Sequence, residues 1–339
     1  MFSLDFSLLV DSVLIFALAF LIDMVLGEYP DRIHPTIGIG KIISYLKRKA
    51  KNVNPKVEKA NGVLMALVIM LVVSLPVFLL LFWLRLSFGS IPYIIAGAVL
   101  FKATFAIRGM GQYTKPIAKA LKQNDLDGAR KWLPYIVRRD PNTLNERQII
   151  SAAVESIAES TTDGITAPFF FFALFGVPGA FAYRVVNTLD SMVGYKNVEN
   201  RNIGWFSAKL DTIANYIPSL LTAYLMVVAS FLLREDWRES WRILQRDKHK
   251  TASPNAGYTI SAMAGALNIQ LEKQGYYTLG DDHGISPEHI PKALRVMTVT
   301  AVLFGLVVVV PVLALRIYVV GLYRDCVKIN SSFRKLLSL

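Results

Sequence analysis

Most of the features from which a function is usually read are missing from this chain. Of its 339 residues only Cys326 is a cysteine, which excludes an intrachain disulfide and any cysteine-based metal cluster. Histidine is almost as scarce. Only His283 and His289 stand near one another, His34 and His249 are isolated, and no zinc spacing results. No GxSxG elbow, HExxH helix, GxGxxG fingerprint or heptad run occurs, so the standard hydrolase, metalloprotease, dinucleotide and coiled-coil readings fall away. The stretch from His34 to Lys41 imitates a phosphate loop but has Pro35 where glycine is needed and Ile42 where serine or threonine is needed. A glycine-rich entry to an interfacial helix is the better reading. There is also no internal repeat and no low-complexity linker. Charge is sparse, at 18% of residues.

What is abundant is hydrocarbon, with 53% of residues hydrophobic and a mean hydropathy of +0.41. Windows near the roughly 20 apolar residues that cross a bilayer run over Phe6 to Leu26, Gly62 to Leu84, Ile91 to Ile107 and Val296 to Val320. Weaker ones cover Ile165 to Val186 and Ile213 to Leu233. The first lacks the basic leader and small-residue cleavage site of a signal peptide and is read as a retained helix. The net charge of +12 lies largely beside apolar spans, so the lipid bilayer, not nucleic acid, is its expected partner.

The expected fold is all-α: a polytopic α-helical integral membrane protein with re-entrant or partial helices, forming one membrane-embedded domain over residues 1–339. Excursions at 28–61, 108–164 and 234–295 are assigned to the cytoplasmic face. The first holds eight Lys/Arg against three acids, and the positive-inside rule then starts the N-terminus outside. A hairpin turning at Ser87 to Ser90 returns the chain. The two weaker windows are expected to be partial, broken at Gly176, Pro178 and Pro218, so that all polar motifs open on one face.

Those motifs fall between Val154 and Pro218. Glu155, Glu159 and Asp163 stand at i, i+4 and i+8 on one helix face. Like charges so spaced repel, and a Mg²⁺ that keeps several waters and bridges phosphates would suit them. A solvated acidic face is the bland alternative. Asn187, Asp190 and Lys196 flank a turn at Gly194, and Asp211 with Asn215 repeats the i, i+4 spacing. Helix capping competes as an explanation for both asparagines. Ser253-Pro254-Asn255 reads as a turn into a small-residue helix whose N-terminus offers N–H groups to an anion. Asp23, inside the first span, calls for a cationic partner such as Arg108 or Lys102.

The ordered strings DRIHPTIGIGKII, IVRRDPNTLNERQIISAAVESIAESTTDGITAPFFFFALFGVPGAFAYRVVNTLDSMVGYKN, LDTIANYIPSLLTA and SPNAGYTISAMAGALNIQL closely resemble the membrane-embedded adenosylcobinamide-phosphate synthase family of cobalamin biosynthesis, from about Asp23 to Leu271. Three positions depart from the usual pattern: Arg138 for glycine, Asp211-Thr212 for an acidic doublet, and Leu220 for arginine. The resemblance implies a carbon–nitrogen ligase of the cell membrane, with its active site facing the cytoplasm. It would use ATP and Mg²⁺ to join the free propionate of adenosylcobyric acid, a corrinoid substrate, to aminopropanol or its phosphate. Glu155, Glu159, Asp163, Asp190 and Asp211 become the candidate catalytic groups, the first three also as Mg²⁺ ligands. Arg139, Lys196 and Lys209 would neutralise phosphate. Asn187, Asn215, Ser253, Asn255 and His34 complete the candidate substrate contacts. A wide interfacial cavity lined by Tyr183, Tyr195 and Tyr216 is expected to hold the corrin body. Other late cobalamin-pathway membrane enzymes are candidate partners. A transporter, or a membrane-anchored corrinoid-binding scaffold, is the alternative, and the absence of a repeat between the two halves weighs against the first.

Overall fold

The computed structural model describes residues 2–30, 34–195, 197–316 and 318–319, so Lys196 and Cys326 lie outside the described residues. Among the described residues twelve α-helices run in order: α1 Phe2–Leu26, α2 Pro35–Ala50, α3 Pro55–Phe88, α4 Ser90–Lys102, α5 Ile107–Lys122, α6 Leu126–Trp132, α7 Glu146–Thr161, α8 Ala167–Val193, α9 Trp205–Leu232, α10 Trp237–Asp247, α11 Pro254–Ala266 and α12 His289–Phe304. One short antiparallel hairpin, β1 Leu271–Lys273 with β2 Tyr277–Leu279, was not foreseen in the all-α expectation. Six helical stretches are long and apolar enough to cross a membrane, which makes this a polytopic helical protein.

Local signals explain the boundaries. His34 and Asn54 cap α2 and α3 by accepting from the Thr36 and Lys56 N–H groups, with proline next in each case. Asn145 and Gln148 form a capping box that starts α7. The turn between α3 and α4 falls at Gly89, where φ is +81°, as the Ser87 to Ser90 expectation required.

The window from Ile165 to Val186 folds back on itself. Gly176 takes φ 71° and ψ −164°, a conformation essentially restricted to glycine, and splits α8 into two arms. The Phe171 and Tyr183 rings stack 5.1 Å apart, whereas a straight helix would separate residues 12 apart by roughly 18 Å. Arg184 fixes the return arm: its guanidinium bonds the Thr104 carbonyl and lies 3.5 Å from the Gly164 carbonyl. The expected re-entrant shape is therefore present here. Pro218, expected as a breaker, is instead carried inside the continuous α9. The Thr222 hydroxyl donates to the Pro218 carbonyl at 2.6 Å, the usual i−4 back-bond of a helical threonine.

An aromatic cluster seats the outgoing arm, with Phe101 stacked on Phe172 at 4.1 Å and Phe16 edge-on to Phe169 at 4.8 Å. Below it lies a fully buried ion pair, Lys102 to Asp23 at 3.0 Å. Lys102 also reaches Glu28 at 3.1 Å, and Asp23 accepts the Ile107 and Arg108 backbone N–H groups. Both expected partners of Asp23 are thus used, Arg108 through its backbone.

Outside the spans, α10 is clamped to the β-hairpin. Buried Asp247 receives two bonds from Arg246 at 2.8 Å, the Lys250 ammonium at 2.6 Å and the Gly280 N–H at 2.8 Å. Burial alone would raise this carboxyl, but the Arg246 and Lys250 bonds outweigh it and hold it at about 2. Its folded value lies below the ordinary one. The contribution to stability, about 2 kcal/mol, is therefore present above pH 3.8 and fades as pH falls toward 2. Asp247→Asn should lose that contribution near neutral pH and flatten the acid limb of the melting-temperature profile.

Gly176→Ala should destabilise the chain by about 1–3 kcal/mol. Gly38→Ala, where a methyl group meets nothing within 4 Å, should change stability by less than about 1 kcal/mol. Thermal unfolding in detergent reads both.

Candidate functional site

Behind the hairpin, α7 does not end cleanly. A single π-helical turn, Thr162–Thr166, joins it to α8 and carries Asp163. Such turns rephase the following residues and recur at functional sites. The expected stripe of three carboxylates is nonetheless divided, between Glu155 and Glu159. Glu155 turns to one side, buried, where its oxygens meet Arg139 at 2.6 Å, the Tyr277 hydroxyl at 2.7 Å and the Ser151 hydroxyl at 2.9 Å. Burial and then the Glu155 carboxylate raise the Tyr277 phenol, so it remains a proton donor to Glu155. Glu155 and Arg139 therefore spend themselves on each other and on the β-hairpin.

Glu159 and Asp163 face a narrow recess, walled also by Thr162, Asp211, Asn215, Ser253, Asn255, Ala256 and Thr259. Three elements meet there: the π turn, the first half of α9 and the N-terminus of α11. The Tyr183 hydroxyl, itself buried, donates to the Asn215 Oδ1 at 2.7 Å and so couples the return arm to α9. The Asn255 amide donates to the Thr212 carbonyl at 2.9 Å and holds the start of α11 against α9.

The recess gathers several hydrogen bonds left unmade. Thr162 Oγ1, Asp211 Oδ1, Asn215 Nδ2, Asn255 Oδ1 and Thr259 Oγ1 are buried without a hydrogen-bond partner among the described residues. An orphaned buried polar group costs about 1–3 kcal/mol, and five that converge on one hollow mark a place built for a polar ligand. Carboxylates on one wall suit a cation or an ammonium group. The opposing end of α11, whose first-turn N–H groups have no helical acceptor, suits an anion.

Six expected residues are thus brought together: Glu159, Asp163, Asp211, Asn215, Ser253 and Asn255. Others are not. Asn187 does not line the recess but stands behind it, bonded to the Asp211 carboxylate and accepting from Arg184 at 3.1 Å, and His34 binds Glu28 at 3.1 Å within the Lys102 network. Asp190 is half-buried beside Gly194 without lining the recess, and Lys209 is exposed. Tyr183 is buried, Tyr195 and Tyr216 are exposed, and none of the three lines the recess. Thr162, Thr259, Tyr277 and Arg184 went unread. Of these, Arg184 carried a signal, as an arginine inside an apolar window.

Among the described residues no three His, Cys, Asp or Glu side chains converge to hold a metal ion. A protein cage of Glu155, Glu159 and Asp163 therefore does not fit. A Mg²⁺ taken by one or two carboxylates, with the rest of its octahedron from water and phosphate, does fit the donors of Asp163 and Asp211.

Fold and recess together define a multi-pass helical membrane protein with a polar recess where the π turn, α9 and the start of α11 meet. The CobD/Cbib protein family model matches residues 16–297, and the chain belongs to that family. It is 41% identical over 301 residues to the probable cobalamin biosynthesis protein CobD of Methanothermobacter thermautotrophicus, covering 87% of this chain and 97% of that one. Over 269 residues it is 44% identical to the cobalamin biosynthesis protein CobD of Dehalococcoides mccartyi, covering 79% and 87%. The probable CobD of Thermoplasma volcanium is 38% identical over 296 residues, covering 87% and 95%. No solved structure matches the chain.

Thr259→Val removes an orphaned hydroxyl and keeps the shape. It should leave the melting temperature unchanged or slightly raised, yet weaken ligand binding in the recess by about tenfold. Melting curves and steady-state kinetics of the reaction proposed below separate the two effects.

Proposed function

We propose that this chain acts in cobalamin biosynthesis as a carbon–nitrogen ligase that joins the free propionate of adenosylcobyric acid to aminopropanol or aminopropanol phosphate, using ATP. The pathway is supported by the names of its relatives. The chemistry is supported by the recess, where Glu159, Asp163 and Asp211 face the N-terminus of α11 around five unpartnered polar atoms.

A carboxylate is a poor acyl donor because its negative charge repels nucleophiles and oxide is a poor leaving group. Transfer of the γ-phosphoryl group to a propionate oxygen, with release of ADP, supplies a competent leaving group. The amine nitrogen then attacks the acyl carbon, the C–N bond forms, and phosphate departs with the former carboxylate oxygen. The amine must lose a proton to attack, and a recess carboxylate within hydrogen-bond reach is the acceptor. Glu159 takes this role, since it is exposed to the opening and has no partner among the described residues. Bound Mg²⁺ would neutralise phosphate charge, held by Asp163 and Asp211. The first turn of α11, with Ser253 and Asn255, receives phosphate oxygens.

Size divides the substrate. The recess is narrow, so the corrin body lies outside it and only the reacting groups approach its polar wall. Glu155 and Arg139 act as a brace that holds α7 to the β-hairpin.

Incubating the purified full-length chain with adenosylcobyric acid, ATP, Mg²⁺ and each amine should yield a new amide by mass spectrometry with stoichiometric ADP. No amide with either donor would overturn the reading. Asp211→Asn should lower turnover by two orders of magnitude or more with unfolding unchanged within about 1 kcal/mol.

A further inference from the structure

Helix α2 carries a second feature, independent of the recess. Its inner side, Ile39 and Ile43, is buried against Met65, Ala66 and Ile69 of α3 and Val185, Leu189 and Val193 of α8. Its outer side exposes Ile37, Lys41, Tyr45, Arg48 and Lys49, residues spaced three and four apart and therefore on one face. The start of α3 continues the surface with exposed Val53, Lys56, Val57 and Lys59.

The cations of this region divide into two sets. Lys47 is taken by Glu199 at 2.6 Å and Lys51 by Glu58 at 2.8 Å, and these two tie the segment to the loop before α9 and to α3. Lys41, Arg48, Lys49 and Lys56 have no acidic partner among the described residues. Two lysines lie over aromatic rings, Lys49 over Tyr45 at 4.7 Å and Lys59 over exposed Trp205 at 5.6 Å. Aromatic rings and basic side chains interleaved with exposed aliphatics are the composition of an element that rests in a headgroup layer, with apolar stems down and charges at phosphate level. A face that met only water would gain nothing from Ile37, Val53 or Val57.

We propose that the outer face of α2, extended by the first turn of α3, binds anionic phospholipid headgroups. The unpaired cations supply charge complementarity to the lipid phosphates, and the exposed aliphatic and aromatic groups enter the acyl boundary. Because Ile39, Ile43 and Gly40 pack against Val185, Leu189 and Met192, this contact backs the arm that presents Tyr183 to Asn215.

The test uses the full-length chain in phosphatidylcholine bilayers with trace spin-labelled phosphatidylglycerol or phosphatidylcholine. Electron paramagnetic resonance reads the motionally restricted fraction of each. The wild type should prefer phosphatidylglycerol, and high salt should weaken the preference. The triple variant Lys41→Gln, Arg48→Gln, Lys49→Gln should lower it, by on the order of 100-fold at low salt if each cation contributes about fivefold. A charge-matched control, Lys115→Gln, Lys119→Gln, Lys131→Gln on α5 and α6, should keep it. Equal preference in the wild type, retention in the α2 variant, or equal loss in the control would each overturn the proposal. Displacement of the labelled lipid by millimolar inorganic phosphate would also overturn it, by marking the face as a soluble-anion site. Circular dichroism confirms that each variant is folded, and if the triple variant is not, Arg48→Gln with Lys49→Gln provides the same comparison.

Discussion

Two helical arms must lie side by side in an apolar medium, and a backbone can reverse there only if no carbonyl or N–H is stranded. At Gly176 this is met with a single residue in a conformation that a side chain would oppose, and the arms then satisfy themselves as helices on either side. Arg184 supplies what remains, covering the carbonyls of Thr104 and Gly164 where the outgoing arm begins. Because the reversal returns the chain beside its own origin, Tyr183 comes within reach of both the Asp163 carbonyl and Asn215. Without it, Asp163 and Asp211 would sit on elements with no reason to meet.

The buried charges of the scaffold are paired, which makes the unpaired groups of the recess informative. The Lys102, Asp23 and Glu28 group is buried, yet each member has an opposite charge or backbone group against it. Glu155 is buried with three donors around it. Removing one partner from such a set leaves a charge stranded at a cost of several kcal/mol, so these groups are fixed in place as scaffolding. Thr162, Asn215, Asn255 and Thr259 in the recess are equally sheltered, yet each keeps a polar atom without a partner among the described residues. Scaffold and site are thus separated by bonding and not by residue type, since carboxylates and asparagines occur in both.

That separation also explains how far the residues could be read in one dimension. Hydropathy windows located the spans because the apolar length needed to cross a bilayer is set by physics alone. Gly176, Gly89 and the Ser253-Pro254-Asn255 turn were legible for a similar reason: their backbone demands are local. The pairing of Glu155 with Tyr277 was not legible, because a two-stranded hairpin of three residues per strand leaves almost no pattern and the contact spans 122 positions. The i, i+4, i+8 stripe misled for a subtler cause. It counted Glu155 with its helical neighbours, whereas Arg139 and Tyr277, distant in sequence, engage Glu155 away from the recess that Glu159 and Asp163 line. Thr162 and Thr259 were invisible because a threonine's role depends on what it fails to bond, which no sequence records.

The geometry finally constrains how a large substrate could meet a small site. A recess formed by the start of α11, the π turn and α9 has rigid walls, for each is helical and braced from behind by buried contacts. Rigid walls favour a reaction in which charge changes at one carboxyl group while the rest of the molecule stays still, since preorganised groups need no rearrangement as the transition state forms. A bulky amphipathic ring held at the membrane surface and presenting one flexible arm inward meets that requirement. The ring then contributes binding energy at a distance from the reacting atoms, and the arm alone must match the five unpaired polar groups within.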